Sequence, residues 1–338
     1  MSQCLLAPRL VLSLVACVGV SSISTLNAQS SPQPADFDGP PGGARQLEAG
    51  QPNVQVHATV EAMEKYRASH GSKPTFGGGS KLLSYHGGTG GIGVETTPKV
   101  YLVLWGSQWA NDPSGEAAIL ESFFNNVGGS SWLNSVTQYC QGVGTGTTQC
   151  SATDQLAGNQ AGIYVTYLMD NASAAPSHPK QSQLAAEAVR AAQLTGNTSP
   201  TLNASVQYVI ATAHNNNASG FGTQYCAWHS STSSSFGNIA YTNLPYITDA
   251  GASCGANFNN LGPNAGITIV EGHELAETIT DQFPSSGWLD SGGAENGDKC
   301  AWISSGTGAS ANVSLTSTVS FPVQSLWSNA TNSCVLSY

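Results

Sequence analysis

Residues 266–300, GITIVEGHELAETITDQFPSSGWLDSGGAENGDKC, decide how the rest of the chain is read. Ile267, Ile269, Val270, Leu275, Ala276 and Ile279 recur at helical spacing, which predicts a helix over 267–281. On such a helix His273 and Glu277 lie four residues apart and share one face. Glu274 stands one position on, at the edge of that face. In helices reading H-E-x-x-H, both His bind zinc and the Glu is the general base on a polarised water. Here Glu277 replaces the second His, and a carboxylate is an acceptable zinc ligand. Three protein ligands leave a position open for chemistry, so a third is expected downstream. Glu295 leads and Asp298 is its rival. Asp281, two turns from His273, could orient a ligand; Asp290 is a weaker candidate. Gly292 and Gly293 let the chain turn back over the helix, and Cys300 would pin that return.

The plainer reading is a solvated acidic helix face, since a five-residue pattern arises often by chance. Two features weigh against it. The flanking residues make the helix half-buried. Four of the chain's 20 acids fall between Glu271 and Asp281, although acids are scarce elsewhere. Zinc is the first expectation, while the carboxylate-rich set leaves Ca or Mn as alternatives.

Other candidates are fewer. His229, in Cys226-Ala-Trp-His229, could reach the site as a ligand or a catalytic donor; a hydrogen-bonded loop His is the competing reading. His214 ends an expected strand, and His86 reads as structural.

The composition suits an exported protein. Charged residues make up only 9% of the 338 residues, against roughly 25% in ordinary soluble chains. Residues 1–28 have one charge, Arg9, then an apolar run over 10–20 and small residues ending at Ala28, the layout of a secretory signal cleaved after Ala28. Leu14-Val-Ala-Cys17 offers a minority alternative, lipid anchoring through Cys17. Removing 1–28 takes one positive charge and no acid from the net −10, leaving −11. Such a balance excludes nucleic acid as a partner and does not favour anionic membranes. No run is long enough for a membrane span. Six cysteines remain after the signal, and proximity favours the pairs Cys140–Cys150, Cys226–Cys254 and Cys300–Cys334.

Residues 29–80 are rich in Pro and Gly and read as a flexible leader or pro-segment, with one short helix over 60–70. The remainder, 81–338, reads as a single domain. Strands are expected at 99–105, 161–168, 206–212 and 313–323, the last at an edge because of Pro322. Helices are expected at 114–126, capped by Ser114, and at 182–194. Residues 215–264 read as loops pinned by Cys226 and Cys254. Alternating strands and helices give an α+β layered fold.

Taken together, Tyr85-His-Gly-Gly88, Val100-Tyr-Leu-Val-Leu-Trp105, Tyr208-Val-Ile-Ala-Thr212, Cys226-Ala-Trp-His229, Gly272-His-Glu-Leu-Ala-Glu277, Trp288 and Glu295-Asn-Gly-Asp-Lys-Cys300 resemble the phosphate-induced protein 1 (exordium-like) family. The likeness runs over most of 82–338. It implies an extracellular or cell-wall protein, without implying a reaction. The expectation is therefore a secreted, monomeric, zincin-like α+β protein. His273, Glu277 and Glu295 or Asp298 would bind zinc, with Glu274 as base and a peptide or protein as substrate. The alternative is a non-catalytic binder of a cell-wall component with a structural metal.

Overall fold

The computed structural model describes residues 41–70 and 82–338. The signal-peptide reading, Ala28 and Cys17 lie outside the described residues. Among the described residues the order opens with β1 (Gly43–Arg45), β2 (Val54–His57), α1 (Val60–His70), β3 (Ser84–Tyr85), β4 (Lys99–Trp105) and α2 (Glu116–Val127). β5 (Cys140–Gln141), β6 (Gln155–Leu156), β7 (Tyr164–Asp170), α3 (Gln181–Leu194), α4 (Pro200–Asn203) and β8 (Val206–Thr212) follow. Then come β9 (Ala227–Ser234), β10 (Gly237–Leu244), α5 (Ala265–Thr280) and β11 (Trp288–Leu289). β12 (Ala311–Ser314), β13 (Ser320–Val323), β14 (Leu326–Ser328) and β15 (Ser333–Val335) complete the chain.

Seven strands form one mixed sheet in the order β1-β2-β9-β10-β8-β4-β7. β7, β4, β8 and β10 run parallel, while β9, β2 and β1 are added antiparallel. The central parallel strands β4 and β8 are mostly apolar and buried because helices cover both faces, whereas the edge strand β7 leaves Val165, Tyr167 and Met169 exposed. In β4, Val100, Leu102 and Leu104 enter the core shared with α2 and α5, and Tyr101, Val103 and Trp105 enter the core shared with α3. The result is a mixed α+β fold, helices on both sides of a mixed sheet, stapled by the three sequential disulfides expected from the cysteine spacing.

Four expectations change. Residues 43–57, placed in a flexible leader, contribute two strands, because Val54 and Val56 alternate into the apolar layer beside Trp228. Residues 227–244, read as loops, are two eight-residue strands. Their Ser, Thr and Asn content hides a period of two: Trp228 faces the α3 layer and Ala227 the α5 layer. The helix expected from Ser114 starts at Glu116, and its free amides are capped by the Asp112 carboxylate, 2.8 Å from Glu116 N. The strand expected over 313–323 is a hairpin, β12 and β13, turned at Thr316.

Candidate metal centre

Helix α5 is buried along its whole length, polar residues included. Its start presses against the 247–254 segment so closely that a Cβ on Gly266 would lie 1.9 Å from the Cys254 carbonyl oxygen. The helix thus crosses the sheet with His273, Glu274 and Glu277 facing inward, each fully buried. His229 reaches the same space from β9, because the alternation that sends Trp228 to the α3 layer sends its neighbour toward α5. The return loop after β11 brings Glu295 and Asp298 from the other side.

The heteroatoms converge. His273 Nε2 lies 3.0 Å from Glu277 Oε2 and 3.9 Å from Asp298 Oδ1. His229 Nε2 lies 3.0 Å from Glu295 Oε2 and 3.9 Å from Glu277 Oε2. Ligands of one tetrahedral zinc, bonded at about 2.0–2.1 Å, sit roughly 3.3–3.4 Å apart. The observed separations straddle that value. His273 Nε2 and Glu277 Oε2 are buried 3.0 Å apart as an ion pair, in an alignment poor for a hydrogen bond. That is the arrangement of two donors aimed at a common point rather than at each other. Three groups have donor atoms within 4.8 Å of one another: His273, Glu277 and Asp298; His229, Glu274 and Glu277; and His57, His273 and Glu274. These buried His, Glu and Asp groups could hold a metal ion, and mixed nitrogen and oxygen donors suit several divalent metals.

Supporting contacts fix the donors. Gln324 Nε2 donates to the carbonyls of Gly297 and Ser325, which turns its Oε1 to accept from His273 Nδ1 at 3.3 Å. This assignment leaves the His273 Nε2 lone pair facing the site. The Asp298 backbone N–H donates to Glu277 Oε1 at 2.8 Å, so Oε2 is the free oxygen. Asn296 ties the return loop to α5 by donating to Ala276 O and Thr280 Oγ1. Gly297 is needed where the loop crosses the helix: a Cβ there would lie 2.7 Å from His273 Nδ1 and 2.9 Å from Glu277 Oε1.

The electrostatics favour a cation. Burial, with the neighbouring Glu277, Glu271 and Asp298 charges, raises the Glu274 carboxyl well above its ordinary range. Burial and Glu277 do the same for Glu295 and Asp298. For Glu277 burial also pushes upward, but His273 and His229 outweigh it and hold the group low. His229 is pushed down to about 4, by burial first, so it is neutral at pH 7, the form that binds metals. Each uncompensated buried charge costs several kcal/mol. Lys299 is engaged with Asp290 at 2.9 Å, and the Arg45 guanidinium acts on Asp298.

Six of the residues singled out from sequence meet in one place: His273, Glu274, Glu277, Glu295, Asp298 and His229. Asp281 is no donor to the site; it stands beside Glu295, as an orienting group would, and accepts from Ser286 Oγ at 2.7 Å. Asp290 serves Lys299. His214 pairs with Asp249, away from the site. Sequence reasoning missed His57, Arg45 and Gln324. His57 was hidden in the presumed leader, where the only signal is the alternation Val54-Gln-Val-His57. Among the described residues, no helix is long and apolar enough to cross a membrane. Comparisons with protein-family models, with curated proteins and with solved structures find no match.

Proposed function

We propose that this chain is a secreted, metal-dependent hydrolase of peptide bonds, built on a zincin-like variant of the layered fold and related to the phosphate-induced protein 1 family. The observation that carries the reading is the meeting of two His and four carboxylates in a buried site, with Glu274 offering two unpartnered oxygens beside the donors. His273, Glu277 and Asp298 would hold zinc and leave one position open, with the His229–Glu295 pair beside it. When bound, the cation supplies Lewis acidity toward a carbonyl and lowers the pKa of water. Glu274 then removes a proton as the water oxygen bonds to the peptide carbonyl carbon. It returns that proton to the amine as the C–N bond breaks, so water is consumed and an acid and an amine result. Gln324 keeps His273 oriented, and the return loop excludes water.

Complete burial of the site favours a second reading, a structural cation in a non-catalytic extracellular or cell-wall binding protein. Metal analysis separates the two when combined with Glu274→Gln. About one zinc per chain is expected in both proteins, with peptide hydrolysis falling roughly 10²–10⁴-fold in the variant. A wild-type chain without stoichiometric metal sinks both readings. A fully metallated variant that behaves as wild type leaves the structural cation.

A further inference from the structure

The site is closed by the chain's own first strands. β2 lies antiparallel along β9, with Gln55 opposite His229 and His57 opposite Ala227. The alternation of β2 sends Val54 and Val56 into the α3 layer and turns His57 toward the site. The His57 ring lies flat on His273, centroids 3.8 Å apart and planes within 2°. Neither of its ring nitrogens has a hydrogen-bond partner, though the side chain is fully buried. One of them lies within 4.8 Å of donor atoms of both His273 and Glu274. Gly42 passes Asp298 so closely that a Cβ would fall 2.0 Å from Oδ1. Carbonyl oxygens along this arm are gripped from the main body. Cys226 N donates to His57 O at 2.8 Å, Ser230 Oγ to Asn53 O at 2.8 Å, and Gln181 Nε2 to Pro52 O at 2.8 Å.

An imidazole with two unsatisfied nitrogens is an expensive thing to bury. A sheet edge is a ready template for an extended chain, with backbone bonds giving affinity and alternate side chains giving selectivity. The geometry points to strand β9 and the metal-site residues as a cleft for an extended peptide, occupied in this chain by its own residues 41–57, with His57 standing where the scissile peptide group must lie. The inference rests on the hydrolase reading and specifies its substrate. The substrate is an extended segment with small β-branched residues at alternate positions, matching the pockets of Val54 and Val56. The form seen is latent, and departure of the arm exposes the site.

The test uses the full chain. Val56→Asp places a charge in the apolar layer under the arm. A second form has a sequence-specific protease site in place of residues 74–79 and is cut after folding. Hydrogen exchange verifies that 43–57 lose protection while 265–280 keep it. The intact chain is expected to cleave a mixed peptide library at least about tenfold more slowly than the released forms. A synthetic peptide of residues 50–59, GQPNVQVHAT, should inhibit the released forms by raising KM without changing kcat. The same peptide with Ala at the His57 position should inhibit at least about tenfold more weakly. Equal hydrolysis by intact and released chains overturns the proposal, as does failure of the peptide to inhibit. If no form hydrolyses anything, the hydrolase reading fails by itself. The arm is then judged by fluorescence anisotropy, in which the labelled 50–59 peptide must bind released chain at least about tenfold tighter than intact chain; equal binding overturns the proposal.

Discussion

Gly297→Ala tests the geometry of the centre without touching a donor. The added methyl would lie 2.7 Å from His273 Nδ1, 3.0 Å from Cε1 and 2.9 Å from Glu277 Oε1. Comfortable contact begins at about 3.4–3.5 Å, so the loop and helix must part by roughly 0.7 Å. Helix α5 is packed on all sides, so the loop moves. It takes with it the Asp298 N–H that holds Glu277 Oε1 at 2.8 Å, and the Asp298 carboxylate. Metal sites tolerate donor errors of about 0.2 Å. Losing outer support costs about 10–100-fold in affinity, or roughly 1.4–2.7 kcal/mol. Gly144→Ala is the control, since its methyl meets nothing closer than 3.9 Å. Competition against a chromogenic zinc chelator at fixed pH measures both, with near-UV circular dichroism of the metal-free proteins to compare folds. A folded Gly297→Ala protein that binds zinc within about twofold of wild type would show that the loop and helix do not share a cation.

Gln324→Ala removes the acceptor of His273 Nδ1 while leaving every donor in place; zinc affinity should drop about 10–100-fold, read by the same competition. A separate prediction concerns Glu95, buried far from water and pushed up to about 8 by that burial, with Gln207 donating to it at 3.0 Å. Its pKa is raised on folding, so its contribution is fully present below about 4.5 and is lost as pH rises toward 8. At about 1.4 kcal/mol per pKa unit the loss amounts to a few kcal/mol. Glu95→Gln should therefore lose less melting temperature than wild type between pH 5 and pH 8. Some slope will persist because Glu116 is pushed up to about 8 in the same way. Identical pH profiles for the two proteins would contradict the assignment.

What the sequence reveals tracks how local the determining physics is. β4, β8 and α3 are legible because their apolar runs or helical periods are set by neighbours in sequence. The motif helix is legible for the same reason, as are the donors it holds. Glu295 and Asp298 could be named because glycines and a cysteine flank them, and their return to α5 spans few residues. β9 and β10 escaped because Ser, Thr and Asn dilute their alternation; they pair with each other across a short turn, and β2 and β8, distant in sequence, flank them. His57 and Gln324 escaped more completely. One lies over two hundred residues before the motif and the other about fifty after it, and nothing near either signals that a backbone register or an amide turn will bring it to His273.

The arm and the cation are tied by charge. Arg45 sits on β1, and its guanidinium and the Asp298 carboxylate act on each other across the site. A divalent ion held by Asp298 would face that guanidinium as a like charge in a poorly solvated space. Metal entry would therefore weaken the seating of β1 and β2, and seating of the arm would weaken the hold on metal by the same factor, since coupling between two binding events is reciprocal. Arg45→Gln breaks this link while leaving β2 in register. It should tighten zinc binding in the intact chain and leave the affinity of the arm-released chain unchanged. The chain has only 10 basic residues. One of them acts on Asp298, a candidate metal ligand, where it would oppose a bound cation.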